Sequence, residues 1–173
     1  MKRSILALVC LMAMAMASPV LADPAASPPP ASLIDYPAFA QLTGEVAGYR
    51  VTRLVGLARF REMASEGDTL ILDARSSTAF VAGHISGAVN LPFTDFTAGS
   101  LARVIGDPNR RILIYCNNNF SNDVEPVRTK SVRLALNIQT FINLYGYGYR
   151  NVYELSDTLD LNDPAVGWIS SAG

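Results

Sequence analysis

The chain is 173 residues long, half hydrophobic and 17% charged, with 14 basic and 15 acidic side chains and a single histidine. That length holds one domain with a proper hydrophobic core. The charge balance argues against nucleic acid as a partner, which calls for a clustered basic surface.

Met1, Lys2 and Arg3, the apolar run from Ile5 to Ala17, and then Val20, Leu21 and Ala22 have the layout of a secretory signal over residues 1–22. Roughly 13 apolar residues are too few to span a bilayer, which needs about 20. Cleavage after Ala22 is therefore expected, giving an exported protein, periplasmic or secreted, with no membrane attachment afterwards. Cys10 leaves with the signal, and so do Lys2 and Arg3, taking the 14 basic residues to 12 against 15 acidic ones. Cys116 is then the only thiol. It cannot make an internal disulfide, so in an oxidising compartment it is kept for use or for pairing between molecules.

Residues 23–49 read as a proline- and alanine-rich linker and N-terminal segment, in which the proline tract at 24–30 is a semi-rigid spacer. Leu54, Val55, Leu57, Ala58 and Met63 lie at helical spacing, predicting a helix over 52–66 that Gly67 and Asp68 stop. Two continuous apolar runs, 69–74 and 111–116, predict strands covered on both faces, as in a parallel sheet. Between them come one or two helical turns at 76–82, a short strand at 88–90 and a helix at 99–105. A polar loop follows Cys116 as far as Glu125. A long helix is then predicted from Pro126 or Val127 to about Tyr145, since proline suits a first turn. Gly146 and Gly148 end it, residues 151–155 supply another strand, and 158–173 form a polar tail holding Trp168. The fold class is α/β, with a small, mainly parallel sheet flanked by helices on both faces over residues 50–157.

Cys116 directly follows a buried strand, and the carboxyl ends of strands are where α/β folds place reactive groups and ligands. The alternative is a small hydrophobe finishing a core strand. The single histidine, His84, and one cysteine are too few to hold a zinc ion, so no metal or other cofactor is expected.

The residues Leu70, Ile71, Leu72, Asp73 and Arg75, then Phe80, Gly83, His84, Ile85, Gly87, Ala88, Asn90 and Pro92, resemble the front half of the rhodanese domain, the sulfurtransferase family. Its pattern is a strand ending in Asp-x-Arg, an aromatic, then Gly-His-Ile-x-Gly-Ala-x-Asn-x-Pro. The strand ending in Tyr115 and Cys116, and the segment from Gly148 to Leu155, resemble its second half. This resemblance implies that Cys116 attacks the outer sulfur of thiosulfate or a related small anionic donor, keeps it as a persulfide, and passes it to a thiol or cyanide-like acceptor. Backbone N–H groups curled around the cysteine, with a helix N-terminus behind them, lower the thiol's pKa and bind the anion. Asn117, Asn118, Asn119, Phe120, Ser121 and Asn122 are the expected cradle. Arg128 and Lys130 either add positive charge or line a solvated helix face. The resemblance gives His84 a structural role; Asp73 and Arg75 either shape the floor of the site or form a structural ion pair.

The loop after Cys116 departs from the family's compact, glycine-containing pattern. It is longer, has no glycine, and carries Asp123 and Glu125, whose charge is expected to raise the thiol pKa and repel an anion. Asn122 stands where related phosphatases and arsenate reductases carry an arginine, which removes the clamp that phosphoryl transfer needs. Two other readings stay open: a catalytically weak binding module with a protein partner, and a thiol-redox protein acting through Cys116.

Overall fold

The computed structural model describes residues 33–170; the expected signal segment and the proline tract lie outside them. Five parallel strands form the sheet: β1 (Leu54–Val55), β2 (Thr69–Asp73), β4 (Ala88–Asn90), β5 (Arg111–Tyr115) and β6 (Val152–Leu155), in the order β1-β6-β5-β2-β4. β5 is central, so both of its edges are paired. Side chains alternate across a strand, and this splits the core in two. Leu70, Leu72, Ile112, Ile114 and Val152 face α1 (Tyr36–Arg50), α4 (Ala98–Ile105) and α5 (Leu136–Gly146). Ile71, Leu113, Tyr115 and Leu155 face Phe60 and Met63 of α2 (Leu57–Ala64). Helices thus cover both faces, and β2 and β5 read as continuous apolar runs for that reason. A one-turn-and-a-half helix α3 (Ser77–Ala82) precedes β3 (Gly83–Ile85).

Three segments differ from expectation. The helix predicted over 52–66 is divided: Val51–Arg53 is a 3-10 turn, Leu54 and Val55 pair with Glu154 and Leu155, and the helix begins only after Gly56. Sheet pairing there overrides the helical spacing, and glycine favours the break. The part of 23–49 read as an N-terminal segment forms most of α1, where no helix is predicted; Asp35 caps it, its side chain accepting the Ala38 N–H at 2.9 Å, with Pro37 in the first turn. Tyr49 joins it to α5 through Phe141 and Tyr145, at ring separations of 6.5 and 5.1 Å. The long helix predicted from Pro126 starts instead at Leu136. Val127, Thr129 and Val132 are poor helix formers, and Val127 is buried in the α2-side core, holding the loop down.

The tail is also more ordered than its polarity suggests. β7 (Trp168–Ser170) pairs antiparallel with β3, placing Trp168 opposite Ile85. The indole lies against Gly83, where a β-carbon would come within 2.7 Å of it. Trp168 also meets Phe120 edge-on at 5.0 Å and the Arg75 guanidinium at 5.3 Å. Gly83→Ala should therefore push β7 off the domain and cost about 1–3 kcal/mol. The expected result is a lower urea midpoint with a red-shifted emission from Trp168, the only tryptophan; an unchanged midpoint and spectrum would contradict this packing.

Candidate functional site

Cys116 continues the extended backbone of β5, with φ −148° and ψ −175°. Alternation along that strand sends Leu113 and Tyr115 to the α2 face, and Ile112, Ile114 and hence Cys116 to the α1 and α5 face. The chain then turns sharply in a 3-10 turn, Asn117–Asn119, which brings the N–H groups of Asn118 and Asn119 to the sulfur. From across the cleft, the N–H groups of Leu136 and Asn137 in the first turn of α5 also point at it. Ala135, the residue immediately before α5, has no capping side chain. The donors that a Ser or Asp cap would have occupied are left for the sulfur, which sits at the positive end of the helix.

Asn119 fixes this arrangement. Its Oδ1 accepts the N–H of Cys116 at 2.9 Å and Nδ2 of Asn137 at 3.1 Å; its Nδ2 donates to the carbonyls of Leu155 and Asp157 at 2.8 and 3.0 Å. The thiol is only 1% exposed, on the floor of a cavity of about 650 Å³ walled by α1, α5, the 132–135 segment and the end of β6. Arg50 and Glu154 are the charged residues in that wall, and they pair with each other: both Nε and Nη2 of Arg50 donate to the Glu154 carboxylate. Burial pushes the Cys116 thiol above its ordinary range. The N–H groups of Asn137, Asn118 and Leu136 act against that, and the Glu154 charge adds to it. The carboxylate bearing on the thiol is thus Glu154, rather than the expected Asp123 and Glu125. Asp123 accepts the Thr129 N–H at 3.0 Å, and Glu125 lies 3.7 Å from Arg128.

The remaining expected cradle residues mostly act on the loop. Asn117 Nδ2 donates to the Arg128 carbonyl at 2.8 Å. Asn118 Nδ2 donates to the Lys130 carbonyl at 2.8 Å, while its Oδ1 accepts the Lys130 N–H at 3.2 Å. Phe120 is buried in the core between Tyr115 and Trp168, on the sheet face away from the thiol. Ser121 bonds the Leu159 carbonyl, and Asn122 donates to Asp160 and accepts the Leu161 N–H, both at 2.9 Å. The left-handed residue in the loop is Asp123, at φ +46°, not one of the asparagines. Arg128 donates to the Asp123 carbonyl at 2.6 Å, and with Lys130, Arg75 and Ser76 it walls a second cleft of about 320 Å³, in whose lining Cys116 does not appear. The expected cations are therefore gathered beside the thiol cavity, not in it.

Asp73 and Arg75 make a buried ion pair, 0% and 3% exposed at the side chain. Tyr115 donates its hydroxyl to Asp73 and accepts the Ile85 N–H at 3.1 Å, and Arg75 Nη2 donates to the Gly83 carbonyl at 2.8 Å. Asn90 Nδ2 donates to the carbonyls of Asp73 and Arg75, both at 2.9 Å. This network pins the ends of β2 and β5 from the face opposite the sulfur, placing it as a brace for the strand ends. His84 stacks on Phe80 at 3.8 Å, its Nδ1 2.8 Å from the Phe80 carbonyl. Among the described residues no cluster of three or more His, Cys, Asp or Glu is placed to hold a metal ion, and no helix is long and apolar enough to cross a membrane.

Sequence reasoning missed Leu136, Asn137, Arg50 and Glu154. Leu136 and Asn137 of α5 and Glu154 of β6 act on the sulfur, and Arg50 of α1 pairs with Glu154 in the cavity wall; the one local sign was the lack of a capping residue at Ala135.

Comparison with curated proteins finds no match. Among solved structures, an E. coli rhodanese solved with anions is 20% identical, with a TM-score of 0.39, covering 59% of this chain and 98% of its own. A thiosulfate sulfurtransferase from Pseudomonas aeruginosa is also 20% identical (TM-score 0.44), covering 70% of this chain but only 20% of its own length. A polysulfide-sulfur transferase homodimer from Wolinella succinogenes is 16% identical (TM-score 0.39), covering 68% of this chain and 77% of its own. The family model for the rhodanese-like domain matches residues 57–159. That match runs from the start of α2 to Leu159, which bridges to Phe120, taking in Asp73, Arg75, Cys116 and Asn137, and on it this chain belongs to the rhodanese-like domain family.

Proposed function

We propose that this protein is a sulfurtransferase that forms a persulfide on Cys116 from thiosulfate or a related sulfane-sulfur donor and passes the sulfur to a thiol or cyanide-like acceptor. The observation that carries this reading is the convergence of backbone N–H groups from Asn118, Asn119, Leu136 and Asn137 on the Cys116 sulfur. Fixed donors aimed at a sulfur stabilise negative charge there before the reaction starts, so no reorganisation is needed as charge develops. In the first half-reaction the Cys116 sulfur bonds to the outer sulfur of the donor. The donor's S–S bond breaks, and its remainder, sulfite in the case of thiosulfate, leaves with the electron pair. In the second half-reaction the acceptor bonds to that outer sulfur, and Cys116 leaves as the thiolate, held again by the same N–H groups. The signal-like residues 1–22 support an exported setting for this chemistry.

The near-complete burial of the thiol favours a second reading, a binding module that keeps the fold without turnover. Intact mass after thiosulfate treatment separates the two. The native protein should gain one sulfur atom that cyanide removes as thiocyanate, and Cys116→Ser should gain none. No gain on the native protein, with Cys116 still open to alkylation, would favour the binding module.

The raised thiol pKa sets the pH profile. The protonated form dominates up to a higher pH than in an ordinary cysteine of pKa about 8.5, so alkylation by iodoacetamide should still be accelerating at about pH 9. Glu154→Gln removes the charge that disfavours the thiolate and unpairs Arg50, and should speed alkylation at pH 7; a plateau below pH 8, or no response to this variant, would contradict the assignment. Asn119→Ala removes the acceptor of the Cys116 N–H and leaves the Leu155 and Asp157 carbonyls without their donor. Persulfide formation is expected to slow about 10- to 100-fold, since small misplacements of a reacting group cost that much, and the melting temperature should fall as well. Stopped-flow loading beside a thermal melt measures both.

A further inference from the structure

The turn that follows Cys116 is held from two sides. On one, Asn117 Nδ2 and Asn118 Nδ2 donate to the carbonyls of Arg128 and Lys130, both at 2.8 Å. On the other, Asn119 Nδ2 donates to the Asp157 carbonyl at 3.0 Å and Asn122 Nδ2 to the Asp160 carboxylate at 2.9 Å. The two segments that flank the turn in this way, 128–134 and 157–163, are opposite in charge. The first carries Arg128, Lys130 and Arg133 and no acidic residue; the second carries Asp157, Asp160 and Asp163 and no basic one. Every residue of 128–134 is exposed, and so are Asp160 and Asp163. Lys130, Arg133 and the three aspartates enter no ion pair among the described residues, which leaves their charge unspent within the molecule. The basic strip also holds Val132 and Leu134, which are 81% and 64% exposed.

We propose that the two strips form a twofold interface between two copies of this chain. An acidic partner of another kind would answer the basic strip and be repelled by the aspartates beside it. A second copy answers both. A twofold axis running between the strips sets 128–134 of each copy against 157–163 of the other, the isologous arrangement in which one residue meets a second and the second meets the first. Charge pairs at an exposed interface fix register and speed encounter more than they add affinity. The apolar contact comes from Val132 and Leu134, which meet the exposed Pro164 and Ala165 at the end of the partner's acidic strip. This interface borders the thiol cavity, whose lining takes Val132 from one flank and Thr158 from the other. It stands whether or not Cys116 transfers sulfur.

Sedimentation velocity on the purified protein, up to about 100 μM, tests this. The expected result is a dimer whose Kd rises at least about tenfold when salt goes from about 0.02 to about 0.5 M. Two variants locate the contact. One carries Lys130→Glu and Arg133→Glu, whose side chains have no partner to lose. The other carries Asp160→Asn, Asn162→Lys and Asp163→Asn, which removes the negative charge and keeps the side-chain oxygens that accept the Asn162 and Ala165 N–H groups. Each variant alone should be monomeric at concentrations where the parent is dimeric. Mixed in equal amounts they should associate, because the mixed pair restores one native contact, the basic strip of the second variant on the acidic strip of the first. A parent that stays monomeric at low salt would overturn the proposal and leave the basic strip to an acidic partner of another kind. A dimer that survives Lys130→Glu and Arg133→Glu would place the interface elsewhere, and a mixture that stays monomeric would refute the pairing of the strips.

Discussion

The site depends on the side-chain amide of Asn119. It uses both lone pairs and both donors, joining the nucleophile's own N–H, the first turn of α5 and the carbonyls at the end of β6. Three elements that meet only in the tertiary fold are set relative to one sulfur by one planar group. Because the amide is buried, each bond is made without competition from water, and losing the group would strand several polar partners together. The loop after Cys116 is long, yet it is not loose where the chemistry sits. Asn117 and Asn118 bond across to the 128–130 backbone, so length is taken up away from the sulfur.

Sheet parity then decides what the sulfur meets. Tyr115 and Cys116 are neighbours in sequence and point to opposite faces. Tyr115 joins the Asp73 and Arg75 network on the α2 side, closed over by Trp168 and Phe120. Cys116 looks the other way, into the cavity between α1 and α5. The family's most recognisable residues therefore brace the strand ends from behind the site, while the groups that touch the sulfur are backbone amides with no sequence signature. The two environments also oppose one another at the thiol. Burial raises its pKa, the converging N–H groups lower it, and burial prevails.

Much of this was legible in the amino-acid sequence, for physical reasons. Continuous apolar runs flanked by turn residues give strands covered on both faces, because only such a strand can be apolar at every position; both β2 and β5 follow that rule. The Asp-x-Arg and Gly-His-Ile segments are locally constrained, so their pattern survives in order along the chain. Where local preference met a tertiary competitor, the sequence misled. Leu54 and Val55 sit at helical spacing but are taken by β6, and Pro126 suits a helix start, yet Val127 is drawn into the core and the helix begins at Leu136. The capped helix α1 was hidden by the composition around it.

The sequence by itself determined the α/β class, the places of the main strands along the chain, the family and the position of Cys116 at the end of an apolar strand, because each follows from local periodicity or from contiguous motifs. Only the tertiary structure decided which groups hold the sulfur and what space opens above it. Leu136 and Asn137 on α5, Arg50 on α1 and Glu154 on β6 come from separate elements, and no local rule of spacing brings them to Cys116. Their convergence is a property of how the helices pack on one face of the sheet, where a neutralised ion pair and an apolar wall replace the charged cradle that the loop sequence alone had suggested.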